Sequence, residues 1–232
     1  MSVFLYAASV TPLADPDLYA AAYRAASEGR RQKTDRCRRA ADRHLSLGAE
    51  LLLQYALKAA GEPSAPEYAA DENGKPYLPG GGRHFNLSHS GTYALCALSG
   101  REVGCDIEAV AETDALEIAG RFFCPEEAAD IAAAASREDR LVRFYRYWTL
   151  KESYLKATGP GMTLPLDRFR VELAAGPSVI RDGRRAPYTF LESADIPGYR
   201  IALCAEEDCR DTRLTLVDIR PLIGAKSRSD ND

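Results

Sequence analysis

Asp106 and Glu108 stand two residues apart in Val103-Gly-Cys-Asp-Ile-Glu108, a run with the composition of a short strand. Side chains alternate along a strand, so the two carboxylates project to one face about 7 Å apart, while Val103, Cys105 and Ile107 take the other. With Gly104 clearing space beside them, they form a seat for a hard divalent cation. Taken alone, Asp-x-Glu at a strand edge is usually solvated charge. A third carboxylate comes from Phe144-Tyr-Arg-Tyr-Trp-Thr-Leu-Lys-Glu-Ser-Tyr-Leu-Lys-Ala-Thr-Gly159, where Trp148, Glu152 and Lys156 recur every four residues and share a helix face, with Lys151 and Leu155 alongside. The plain alternative is a Glu152–Lys156 surface ion pair worth about 0.3–0.5 kcal/mol. Ser88-His89 pairs a hydroxyl with an imidazole, but neighbouring strand residues face opposite ways and the segment lacks the first glycine of a nucleophile elbow, which argues against a hydrolase. Ser and His do suit a phosphate. Three separated segments, Arg30/Lys33, Lys75 and Ser88/His89, together read as a polyanion site beside a divalent metal.

These residues need elements to hold them. The chain opens with an apolar strand near Phe4–Val10, followed by a polar helical stretch over about 18–39 carrying Arg30, Arg31, Lys33, Arg36, Arg38, Arg39 and, just beyond it, Arg43. At 100° per residue these cations scatter around the helix, the pattern of a solvated surface. Asp42 is placed to cap the next helix, which runs to Gly61 and buries Leu45, Leu52 and Ala56. Asn73-Gly74 marks a turn, and Pro79–Gly82 a hinge or hairpin tip. Residues 93–98 and 103–108 read as strands side by side, turned at Gly100. Helical patterns cover 113–123 and 125–135, and Ser136-Arg-Glu-Asp139 caps the long helix that ends at Gly159-Pro160. Strands follow at 169–173, 188–191, 199–204 and 214–219.

The chain has 232 residues, 46% of them hydrophobic, and 30 Lys plus Arg against 34 Asp plus Glu, a net charge of −4. That is an ordinary globular composition, and its overall field does not favour nucleic acid. No stretch reaches the roughly 18 apolar residues of a membrane span, and the start lacks the basic region of a secretory signal, so a cytoplasmic protein is expected. The six cysteines form no Cys-x-x-Cys pair and read as free thiols, mostly in the core. The length fits one large domain or two lobes of about 110 residues.

In their order, these segments resemble the 4'-phosphopantetheinyl transferase superfamily, and within it the surfactin-synthetase-activating type. Gly104-Cys-Asp-Ile-Glu108 is similar to that family's Gly-Val/Ile-Asp-Ile-Glu, and Trp148-Thr-Leu-Lys-Glu-Ser-Tyr-Leu-Lys156 to its Trp-x-x-Lys-Glu-x-x-x-Lys. Phe85-Asn-Leu-Ser-His-Ser-Gly91, Gly74-Lys-Pro76 and Arg121-Phe-Phe123 add to the likeness. The resemblance implies an α/β (α+β) fold of two similar lobes related by a pseudo-twofold, each a small, mostly antiparallel sheet packed with helices. The lobes would span 1–104 and 105–223, with a disordered tail over 224–232. It implies transfer of the phosphopantetheine arm of coenzyme A to a serine of an apo acyl or peptidyl carrier protein, releasing adenosine 3',5'-bisphosphate. On that resemblance Asp106, Glu108 and Glu152 would hold Mg²⁺, with Glu152 also the base for the carrier serine. Lys156 and Ser88 would contact the pyrophosphate; Arg30, Lys33, Ser46 and His89 would take the 3'-phosphate; Gly74, Lys75 and Pro76 would meet the adenosine end.

Cys105 departs from the family's aliphatic residue, but it points away from the carboxylates and is expected in the core. In the variable basic segment, Arg31 or Arg36 is an alternative phosphate ligand. A metal-dependent phosphohydrolase or a non-catalytic binding module would use the same residues, the first needing only water as acceptor. The carrier should meet a basic or apolar patch, with 113–123 a candidate and Phe122 and Phe123 either contacts or core. With both lobes in one chain a monomer is expected. The carrier's pathway, whether fatty acid, polyketide, nonribosomal peptide or lysine (aminoadipate) metabolism, is left open.

Overall fold

The computed structural model describes residues 2–63, 69–80, 82–159 and 163–224. The polar tail beyond Gly224 lies outside them, as does Gly81 of the glycine-rich turn. The elements in chain order are β1 (Phe4–Ser9), α1 (Pro16–Ala25), α2 (Glu28–Asp35), α3 (Ala40–Ala59), β2 (Ala69–Ala70), β3 (Pro76–Tyr77), β4 (His84–Ser90), β5 (Tyr93–Ser99) and β6 (Val103–Ala109). Then follow α4 (Ala115–Phe122), α5 (Pro125–Ala132), α6 (Arg137–Thr158), β7 (Phe169–Glu172), β8 (Ser178–Arg181), β9 (Arg184–Arg185), β10 (Thr189–Ser193), β11 (Tyr199–Ala205) and β12 (Leu214–Leu216).

The two main sheets share one topology. In the first, of order β12-β1-β5-β4, a strand (β1), a long helix (α3) and a hairpin (β4–β5) follow in sequence, and the hairpin's last strand pairs antiparallel with the first strand. In the second, β6, α6 and the hairpin β10–β11 repeat that plan in the order β10-β11-β6. Only β12 breaks the pattern, returning to pair parallel with β1 at the first sheet's edge. The fold is thus mixed α/β with small, mostly antiparallel sheets and helices on them.

Alternation in the sequence accounts for the layers. Tyr6, Ala8, Ala94, Cys96 and Leu98 pack with Leu45, Leu52 and Ala56 of α3. Ala202 and Cys204 pack with Phe144, Leu150, Tyr154 and Ala157 of α6. The opposite strand faces, including Leu5, Ala7, Leu95, Ala97, Cys105, Ile107, Ile201 and Leu203, meet in a third core between the sheets. Each fully buried aliphatic side chain there contributes roughly 1.5–3 kcal/mol. All six cysteines are free and five are buried, Cys37 being partly exposed.

At three places the structure departs from the local sequence pattern. The stretch 18–39 is two helices, because the backbone is extended at Ala26 and Ser27, whose hydroxyl accepts from Arg30 N and starts α2 afresh. Asp42 is not the cap of α3; Arg39 occupies that position, and Asp42 sits in the first turn. β5 and β6 do not pair: Ser99 Oγ and Gly100 N donate to the Glu207 carboxylate, and Glu206 N donates to Glu102 O. The chain leaving β5 is thereby tied to the end of β11 and crosses into the other sheet.

Candidate active site

The two sheets meet along β4 and β6, and the seam is closed by side chains. Asn86, Ser88 and Ser90 alternate along one face of β4. Asn86 Oδ1 accepts from Cys105 N at 2.9 Å, Ser88 Oγ donates to Asp106 Oδ1 at 2.8 Å, and Ser90 Oγ donates to Glu108 Oε2 at 2.7 Å while accepting from Ala109 N. The Asn-Leu-Ser-His-Ser segment is thus a polar zipper that fixes β6, a role alternation alone had not disclosed for Asn86 and Ser90. On β6, Cys105 points into the core between the sheets, and Asp106 and Glu108 turn toward α6.

Gly104 sets the distance to that helix. A Cβ built there would lie 2.2 Å from Ser153 O and 2.3 Å from Ala157 N, both backbone atoms of α6. Only hydrogen lets the helix settle so close. Lys156 Nζ then reaches Asp106 Oδ1 at 2.6 Å and Ser88 Oγ at 3.1 Å. Glu152, one turn earlier and half-buried, faces the same way.

Charge is concentrated here. Burial raises the Glu152 carboxyl pKa, and the Asp106 charge adds to the rise against Lys156. Burial also raises that of Glu108; the Ser90 hydrogen bond opposes it, and Asp106 and Glu152 reinforce it. For Lys156, burial works against the ammonium, but Asp106 outweighs it and the pKa is raised. Among the described residues, Asp106 Oδ2 is buried with no hydrogen-bond partner. Two carboxylates of raised pKa, both pushed up in part by the Asp106 charge, and the orphaned buried oxygen of Asp106 itself fit a hard divalent cation. Among the described residues, no three His, Cys, Asp or Glu side chains are drawn into a ready-made metal cluster.

The predicted phosphate ligands come from α2, α3 and β4. Arg30 is buried and its Nε donates to Glu50 Oε2 at 2.9 Å, while Glu50 Oε1 accepts from Ser27 N. Glu50 thus holds the start of α2 on α3. Ser46 is buried against Thr34, the two hydroxyls 2.9 Å apart, and serves that same joint. Lys33 is exposed, though partial burial and then Arg30 lower its pKa. His89 is open to water on one side. Burial lowers its pKa and, although a backbone hydrogen bond opposes this, Lys156, Lys33 and Arg30 lower it further, so these cations all act at one place. Gly74, with φ of 81°, and Pro76 belong to the β2–β3 hairpin, from which Lys75 Nζ reaches Glu102 Oε2 at 2.5 Å and the α6 carbonyl of Ala157 at 3.0 Å. Lys75 bridges the two halves.

Lys151 is the residue whose role the sequence concealed. Set beside Glu152 in the helical run, it turns the other way into the core, fully buried, with Nζ 2.8 Å from Glu127 Oε2 and donating to Leu166 O and Phe169 O. Glu127 also accepts from Cys124 N and Val171 N, so this pair locks α5, α6 and β7 together. The sequence carried one signal, an acid three residues after Cys124 at a helix start. Trp148 packs on Phe123 and Phe144. Phe122 and Phe123 divide between the two readings: Phe123 is core, whereas Phe122 is 45% exposed.

Residues 102–204 match the family described as the 4'-phosphopantetheinyl transferase superfamily. A 4'-phosphopantetheinyl transferase of Bacillus subtilis is 36% identical over 183 residues, covering 75% of this chain and 80% of the relative. The 4'-phosphopantetheinyl transferase Sfp of Bacillus subtilis strain 168 is 34% identical over 205 residues, covering 83% and 88%. The 4'-phosphopantetheinyl transferase gsp of Aneurinibacillus migulanus is 34% identical over 167 residues, covering 71% and 69%. The chain belongs to the 4'-phosphopantetheinyl transferase superfamily. It is a transferase whose reaction moves the phosphopantetheine arm of coenzyme A onto a carrier protein. No helix among the described residues is long and apolar enough to cross a membrane.

Proposed function

We propose that the seam between β4, β6 and α6 is where this transfer occurs, with Mg²⁺ held by Asp106, Glu108 and Glu152. The observation that carries this reading is the buried Asp106 Oδ2, unpartnered among the described residues, beside two carboxylates of raised pKa. When bound, Mg²⁺ would supply charge neutralisation for the pyrophosphate of coenzyme A. Ser88 Oγ and Lys156 Nζ face the same phosphates, and Lys156 remains an ammonium able to offset charge on the departing bisphosphate. The 3'-phosphate is assigned to Arg30, Lys33 and His89, with Ser46 supporting α2 through Thr34, and the adenosine end to Gly74, Lys75 and Pro76.

Phosphoryl transfer asks chiefly for positioning. The carrier serine attacks the phosphorus bearing the pantetheine arm as its bond to adenosine 3',5'-bisphosphate breaks. Glu152 accepts the serine proton, a task its raised pKa suits. The remaining parts of the reading are an apo acyl or peptidyl carrier as acceptor, the two sequence halves 1–104 and 105–223 as the cleft's walls, and a cytoplasmic monomer. Both walls of the seam come from one chain, which supports the monomer.

Titrating Mn²⁺ into the protein with coenzyme A present, followed by electron paramagnetic resonance, tests the metal assignment. Asp106→Asn should weaken binding at least about tenfold; an unchanged titration would remove Asp106 from the metal site.

A further inference from the structure

The basic segment carries more charge than the site uses. Between Arg24 and Arg43 lie eight Lys or Arg against three Asp or Glu, a surplus of +5 in a chain of −4, so the other 212 residues carry −9. Several of these cations have internal duties. Arg30 binds Glu50, Arg31 donates to Ala26 O at 2.7 Å, and Arg43 donates to Cys37 O at 3.0 Å. Arg36, Arg38 and Arg39 do not. They are exposed at the end of α2 and in the turn to α3, and among the described residues none has a carboxylate in ion-pairing range. Of the nearby acids, Asp35 accepts from Tyr23 Oη, and Asp42 lies exposed in the first turn of α3.

Their place in the fold gives this charge a direction. The three arginines follow Lys33 by three to six residues, at most about 20 Å of chain, and Lys33 acts electrostatically with Arg30 and Lys156 on His89. The three exposed arginines therefore lie within about 20 Å of Lys33, one of the proposed 3'-phosphate ligands. The remainder of the chain is net negative, so a ligand bearing a pyrophosphate and a 3'-phosphate is drawn preferentially to this segment. Exposed, solvated arginines add little to a bound complex, but their field acts across a Debye length of about 10 Å during approach.

We propose that Arg36, Arg38 and Arg39 form a capture surface that speeds the arrival of the polyanionic end of coenzyme A without being among its ligands once bound. This rests on coenzyme A seating at Arg30, Lys33 and His89. The test is stopped-flow binding of a fluorescently labelled coenzyme A to the full-length protein with Mg²⁺ across ionic strengths. The variant is Arg36→Gln/Arg38→Gln/Arg39→Gln, with Arg181→Gln/Arg184→Gln/Arg185→Gln, on β8 and β9, as a control of equal charge loss elsewhere.

At low ionic strength the first variant should associate roughly three- to tenfold more slowly, with dissociation unchanged and the difference gone by about 0.5 M salt. The control should stay near wild type. A faster dissociation with unchanged association would make the arginines ligands and overturn the proposal. So would an equal slowing in the control, or no change in coenzyme A kinetics, including the case where only the KM for the apo carrier rises. If the wild-type protein fails to bind the probe at all, it is the assigned coenzyme A site that falls.

Discussion

Gly104→Ala is the substitution that most sharply probes how the site is held. The added Cβ would meet Ser153 O at 2.2 Å, Ala157 N at 2.3 Å and Lys156 C at 2.8 Å, all backbone atoms that no rotamer change can move aside. Carbon contacts settle near 3.5–4.0 Å, so α6 must retreat from β6 by about 1 Å or more. Overpacking of this kind costs about 1–3 kcal/mol, a fall of roughly 5 °C in Tm for a chain this size. The larger effect falls on chemistry. The Lys156–Asp106 contact of 2.6 Å and the placing of Glu152 both depend on that approach, and a 1 Å misplacement can cost about a hundredfold in rate. Thermal unfolding and intact-mass kinetics of carrier modification, measured well below Tm, separate the two effects. Gly120→Ala, where an added Cβ meets nothing within 4 Å, serves as the stability control. A Gly104→Ala protein with wild-type stability and rate would refute the claim that this glycine sets the site's geometry.

Three further outcomes are expected. Glu152→Gln should lower kcat by about a thousandfold with little change in Tm, as loss of a general base from a half-buried helix position would; activity within tenfold of wild type in the same mass assay would remove it as the base. Lys151→Met should cost about 3–5 kcal/mol by stranding the buried Glu127 carboxylate, and Lys151→Met/Glu127→Gln should recover part of it in urea unfolding. For pH, Glu108 and Glu152 have pKa values raised above the ordinary 4.5, so the folded metal-free chain holds their protons more tightly than the unfolded chain does. Their contribution to stability is present below pH 4.5 and is lost as pH rises through the raised values, so Mg²⁺ should raise Tm more at pH 7 than at pH 4.5, as scanning calorimetry can show.

The site was more legible in the sequence than the way the sheets are joined. Alternation placed Asp106 and Glu108 on one face and Cys105 on the other, and the four-residue spacing put Glu152 and Lys156 on one side of α6, because both are properties of a single element. Pairing between elements is not. The three residues between β5 and β6 look like a hairpin turn, and only distant Glu206 and Glu207 carry the chain across to the second sheet. Likewise β12 closes the first sheet from the far end of the chain, and Lys151 is buried because Glu127, 24 positions earlier, waits for it. The split of the basic helical stretch was written locally in Ser27, a capping residue hidden among helix formers.

The most direct measurement is intact-mass analysis of apo acyl and peptidyl carrier proteins incubated with this protein and coenzyme A, with Mg²⁺ or with EDTA. A carrier should gain the mass of one phosphopantetheine, with release of adenosine 3',5'-bisphosphate, in Mg²⁺ and not in EDTA. Cleavage of coenzyme A while every carrier keeps its mass, or a gain indifferent to EDTA, would contradict the proposed function.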